Sequence, residues 1–208
     1  MTRTENQKKL IYMISLALLT AIVVFLQLAG VAIPLSFLTT PVSLVLIPIA
    51  LGAMVLGPAA GAWLGFVCGL VIFITCGPGG QNPFFTGILF QNHPLLTFLV
   101  CTVKSTVAGY VAGVVYRVLA RKNSLVASFA AAALVPVLNT GIFILGCFTM
   151  MDTFEQNFLG GMNMWYYLVV LVAGVNFLAE LAINLIFSPA LHRVVLVVQK
   201  KLGLGFFS

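Results

Sequence analysis

Charge is scarce in this chain. Only 7% of its 208 residues are Asp, Glu, Lys or Arg, while 62% are hydrophobic. A soluble domain averages about 25% charged residues, so the composition excludes one and predicts an integral membrane protein. No polar stretch is long enough for a soluble module, and residues 1–208 read as one domain. Cysteine is scarce too. Cys68, Cys76, Cys101 and Cys147 lie in or at the ends of apolar segments with neither CxxC spacing nor a His cluster. They read as small hydrophobic fillers, with no metal or disulfide role. There are two histidines, His93 and His192, and neither has the GxS serine partner that an intramembrane serine protease needs. A prenyl-endopeptidase needs paired glutamates, and one intramembrane glutamate is present, so the chain is not expected to be an enzyme. It has no GxxxxGK[ST] loop for ATP and no cofactor motif. The basic residues form no stripe with interleaved aromatics, which excludes nucleic acid as a partner.

What the chain has is long apolar runs exceeding the ~18 residues that mark a spanning helix. Six helices are expected, at about 10–30, 42–56, 59–76, 93–120, 124–149 and 165–199. The apolar run after Lys8 and Lys9 reaches about Ile33, too long for a cleavable signal. Pro41 and Gly57-Pro58 bracket the short second helix, which contains Pro48. The charges sort by end. Arg3, Lys8 and Lys9 precede the first helix; Arg117, Arg121 and Lys122 join the fourth to the fifth; Arg193, Lys200 and Lys201 end the sixth. Those nine of the ten basic residues fall on one side, and Asp152 and Glu155 fall opposite. The positive-inside rule then gives an all-α, compact six-helix bundle with both termini cytoplasmic. The outer loops, 31–41, 77–92 and 150–164, carry the varied composition: CGPGGQNPFF and QNHP in the second, Asn163 to Tyr167 at the end of the third. Trp165, Tyr166 and Tyr167 also suit an interfacial aromatic belt.

Two charges, Lys104 and Glu180, interrupt the apolar runs. A charge at mid-membrane costs several kcal/mol unless it is paired, hydrated or used. Each stands thirteen residues before an arginine, Arg117 and Arg193, or roughly 20 Å above it at 1.5 Å per residue. The fourth and sixth helices run in the same direction, so the two charges share a depth. Asn176 and Asn184 flank Glu180 on its helical face. Asn139 and Thr140 follow Pro136, where a helix tends to bend and free a carbonyl. Thr97, Cys101 and Lys104 share a face of the fourth helix, and Phe143, Phe37 and Trp165 can supply apolar walls. Few polar groups among apolar walls is how small-molecule pockets are built. A Lys104–Glu180 ion pair that only locks two helices is the competing reading. An unpaired Lys104 suits a carboxylate-bearing ligand; a closed pair suits a neutral polar one.

Gly57, Gly61, Gly65 and Gly69 form an every-fourth ridge, matched by Ala108, Gly109, Ala112 and Gly113 on the next helix. Such ridges let helices approach closely in lipid. Ala17 and Ala21 give an AxxxA on the first helix. Together with the segments IPIALGAMVLGPAAGAWLGFVCGLVIFI, VKSTVAGYVAGVVYRVL, NTGIF and NFLAELAINLIFSPAL, the chain resembles the substrate-binding S-components of energy-coupling factor (ECF) vitamin transporters, in the folate, pantothenate and riboflavin branch. The resemblance implies a location in the bacterial cytoplasmic membrane and capture of a vitamin at the outer face. The pocket it implies lies between the outer halves of the last three helices and the loops after the first and third, where Phe37 and Asn92 fall. It further implies that Ala17 and Ala21 meet a transmembrane scaffold protein and that two ATPase partners supply the energy from ATP. A stand-alone secondary transporter or channel is the rival, but such folds usually show internal repeats, and residues 1–100 and 101–208 show none.

Overall fold

Continuous apolar sequence can satisfy its backbone within a membrane only as helix or closed barrel, and this chain takes the first route. A computed structural model describes residues 5–31, 43–76 and 86–202, and every regular element among them is helical. In order they are α1 (Glu5–Val31), α2 (Leu46–Val55), α3 (Pro58–Cys76), α4 (Thr86–Asn92), α5 (Pro94–Ala120), α6 (Ser124–Phe148), α7 (Met151–Asn157) and α8 (Met164–Tyr166). A π-helical segment, Tyr167–Gly174, then runs into α9 (Val175–Leu202). Five runs are long and apolar enough to cross a membrane: Glu5–Ala29, Pro58–Thr75, Pro94–Ala120, Ser124–Phe148 and Met164–Val198.

The expected second span, 42–56, is a shorter element. α2 has ten residues, about 15 Å of helix against a hydrocarbon core of about 30 Å. Nearly all its side chains are buried, including Ile49, Ala50, Ala53 and Met54. A helix that is apolar all round is equally a buried core helix, which hydropathy alone does not separate from a span. Gly57 also differs from the expected ridge. Its φ is 106°, a left-handed conformation that glycine adopts without penalty, and it makes the turn between α2 and Pro58 of α3.

The remaining ridge does bring α3 against α5. A Cβ at Gly61 would strike the Gly109 carbonyl, one at Gly65 the Ser105 carbonyl, and one at Gly69 the Cys101 carbonyl. Those pairs step in opposite directions, so α3 and α5 are antiparallel. Ser105 faces Asn139, and Gly146 faces Val100, which makes α6 antiparallel to α5. Trp63 bonds Thr20 and Cys68 bonds Gln27, so α1 runs parallel to α3. Ser128 meets His192 at 3.1 Å, and Cys147 shares an apolar cluster with Leu168 and Val172, so the last helix runs antiparallel to α6 and parallel to α5. The consequence is a charge-sorted bundle. Lys8, Lys9, Arg117, Arg121, Lys122, Arg193 and Lys200 gather at one end, and α7, with Asp152 and Glu155, lies at the other.

Two apolar clusters fill the interior. One, toward the basic end, joins α2 to Leu64, Ala108, Ala112, Ala131, Val135 and Val195. The other, toward the opposite end, gathers Leu89, Cys147, Met150, Phe154 and Leu168. A polar belt lies between them.

Candidate functional site

Four elements supply the belt: the entry to α2, then α5, α6 and the top of α9. Glu180 is 3% exposed, and a buried carboxylate must find donors or lose its charge. Its Oε1 accepts the backbone N–H of Ser43 at 3.0 Å and the Asn176 amide at 3.4 Å. Ser43 opens the turn into α2, so the carboxylate sits at the N-terminal end of that buried half-length helix. There it complements a partial positive charge. The segment before Asn176 is the π-helix, an element frequent near functional sites.

Lys104 takes a different partner. No ion pair links it to Glu180; its ammonium lies 4.9 Å from the centroid of the Phe143 ring. Glu180 is nevertheless within electrostatic reach of Lys104. A cation over a phenyl face gains roughly 0.5–2 kcal/mol and occupies one side of a group that has three donors. Among the described residues, none accepts a hydrogen bond from Lys104. Ser105, its neighbour, donates to Asn139 Oδ1 at 3.0 Å, and Phe143 lies one turn beyond Asn139 on α6. Lys104, Ser105, Asn139 and Phe143 thus form one contiguous group at the α5–α6 seam, with half-buried Thr140 beside it.

Asn176, Glu180, Asn184, Ser188 and His192 recur every fourth residue down α9. The Asn184 amide bonds the Glu180 carbonyl at 2.9 Å, and Glu180, Asn184 and Ser188 are all buried. Asn176 Oδ1, Asn184 Oδ1 and Ser188 Oγ are buried acceptors with no hydrogen-bond partner among the described residues.

Other candidates lie apart from this group. Thr97 is buried near Met150 and returns its hydroxyl to the His93 carbonyl at 2.8 Å. Exposed Asn92 bonds the Ile88 carbonyl at 2.8 Å. Trp165 is 57% exposed and packs against Phe148, with ring centroids 4.4 Å apart and planes inclined at 46°. Phe37 lies outside the described residues. Ala17 and Ala21 are exposed along α1, where Val23 is the one fully buried side chain among those described. Two contributors escape sequence reasoning. Ser105 carried a weak signal as a hydroxyl next to Lys104, whereas Ser43 contributes a backbone N–H, which no side-chain pattern reveals.

The sequence matches the family of the ECF transporter substrate-specific component over residues 11–192. The chain is an ECF S-component. Comparison with curated proteins and with solved structures returns no match. As an S-component it is a multi-pass membrane protein that captures a substrate and works with an ECF module. That role gives the belt a context: a transport subunit needs a site that holds a solute within its helices, and Lys104 and Glu180 are the charges in the apolar middle of α5 and α9, away from the basic ends.

Proposed function

We propose that this S-component captures a carboxylate-bearing vitamin or related micronutrient at the outer face of the bacterial cytoplasmic membrane. The supporting observation is the separation of Lys104 from Glu180. With Glu180 committed to Ser43 and Asn176, the ammonium over Phe143 keeps donors for an anion. The partial positive charge of the α2 N-terminus is taken by Glu180 itself, which holds that carboxylate on Ser43 and leaves the ammonium as the cation of the site. Lys104 contacts the carboxylate, Asn139 offers its NH2 group, and Asn176 Oδ1 accepts from a ligand hydroxyl or amide. Pantothenate and folate meet these requirements; riboflavin lacks the carboxylate.

The orientation follows from the charge-sorted ends: the basic end is cytoplasmic by the positive-inside rule. α1 and α3 are parallel, and α2, between them in the sequence, ends at Gly57 beside the start of α3, which supports counting α2 as the inner half of a further crossing. Counted so, the proposed topology has six crossings and cytoplasmic termini. Ala17 and Ala21 face the scaffold, and ATP is spent by two partner ATPases. Equilibrium binding of pantothenate, folate and riboflavin tests the reading. Tight binding of one carboxylate ligand, weakened by Lys104→Gln, is expected. Tight binding of riboflavin alone, unaffected by the substitution, contradicts it. Gradient-driven transport by the purified chain alone would instead establish a self-sufficient carrier.

A further inference from the structure

Beyond the ligand site, a groove of about 490 Å³ opens between the C-terminal end of α5 and the first turn of α3. Its floor is the close approach of these two helices, where a Cβ on Gly113 would strike Pro58. Arg117, in the last turn of α5, and Arg121, its C-cap, line it, with no acidic residue among its described lining. The α5 C-terminus contributes about half a negative charge and the α3 N-terminus about half a positive one. These offset each other, and the charged side chains of the described lining are the two arginines. Guanidinium forks match phosphate oxygens in bidentate geometry. Moving away from the basic end, the groove continues over Val118, Val114 and Tyr110, all exposed. These residues recur on one face of α5, so an apolar track leads from the arginines toward the membrane interior.

We propose that this groove binds an anionic diacyl phospholipid of the inner leaflet. Its phosphate lies against Arg117 and Arg121 and one acyl chain runs along Val118, Val114 and Tyr110. Charge complementarity selects the anionic headgroup, and the exposed apolar track selects a lipid over a soluble anion. Basic pockets at the cytoplasmic ends of helices hold such headgroups in other membrane proteins. The leaflet assignment rests on the orientation proposed above, whereas the lipid site does not depend on the vitamin or on Lys104.

Native mass spectrometry of the full chain, exchanged into equal mixtures of phosphatidylglycerol and phosphatidylcholine, tests the site. The wild type should retain phosphatidylglycerol with roughly ten- to thirty-fold preference, the scale set by two basic residues near a surface. Arg117→Gln/Arg121→Gln should abolish the preference while leaving phosphatidylcholine retention unchanged. Arg193→Gln/Lys200→Gln, which removes two charges from the same end, should keep it. Equal loss in both double variants would overturn the groove in favour of general surface charge. An undiminished preference in Arg117→Gln/Arg121→Gln would also overturn it. Displacement of the lipid by millimolar inorganic phosphate would show a free-anion site and contradict the lipid assignment. Vitamin binding measured on the same variants stays intact whether or not the groove holds lipid, so the two proposals fail separately.

Discussion

At the scale of residues, the two intramembrane charges have different work. Glu180 organises the protein: its carboxylate holds the entry to α2 through Ser43 and orients Asn176. Glu180→Ala leaves a half-buried N–H and a half-buried amide without their acceptor, at up to about 1–3 kcal/mol for each orphaned group. Thermal unfolding in detergent should show a lower midpoint for Glu180→Ala and a smaller loss for Glu180→Gln, which keeps an acceptor oxygen. A Glu180→Ala protein as stable as wild type would remove the brace. The existence of both charges was legible in the sequence, because a lysine and a glutamate inside apolar runs carry a cost that demands a use. Their partners were not legible. The choice between an ion pair and separate partners turns on a backbone N–H of Ser43 and on where a flexible ammonium rests. Neither leaves a mark in residue type.

Among the helices, glycine decides how closely α3 and α5 meet. Gly65→Ala would drive a Cβ into the Ser105 carbonyl and the backbone of Thr106. Backbone cannot rotate aside, so α3 must move, at about 1–3 kcal/mol or more. Ser105 bonds Asn139 beside Lys104, so ligand affinity should fall together with stability. Gly141→Ala is the contrasting case: nothing lies within 4 Å of its Cβ, and alanine exceeds glycine in helix propensity by up to about 1 kcal/mol. Unfolding midpoints should therefore move in opposite directions for the two alanines, and similar losses would contradict the close packing. The small-residue spacing made this interface readable in advance, apart from Gly57, whose positive φ is a turn requirement rather than a packing one. The half-length of α2 was harder to read. Its apolar run continues the sequence pattern of a span, and its burial comes from neighbours contributed by α3, α5, α6 and α9. The π-helical segment before Asn176 likewise follows from tertiary context rather than from local composition.

For the whole molecule, S-component membership connects the two ends of the bundle. The proposed ligand end must capture a solute, and an exposed face must engage the transporter's other subunits. Helix α1 presents such a face: Ala17 and Ala21 lie exposed among Met13, Ile14, Leu18 and Phe25. Ala17→Trp/Ala21→Trp should leave folding and ligand binding of the isolated chain intact while blocking co-purification with a scaffold protein and ATPases. Unimpaired co-purification would move the coupling surface elsewhere. The central claim is that Lys104, separate from Glu180, holds an anionic substrate, and its most direct test is native mass spectrometry of small molecules that co-purify with the wild type and with Lys104→Gln. Removing one partner of a desolvated charge pair costs about 2–5 kcal/mol, or roughly thirty-fold and upward in affinity. The account predicts a carboxylate-bearing molecule retained by the wild type and lost from Lys104→Gln. A neutral molecule retained equally by both would contradict it.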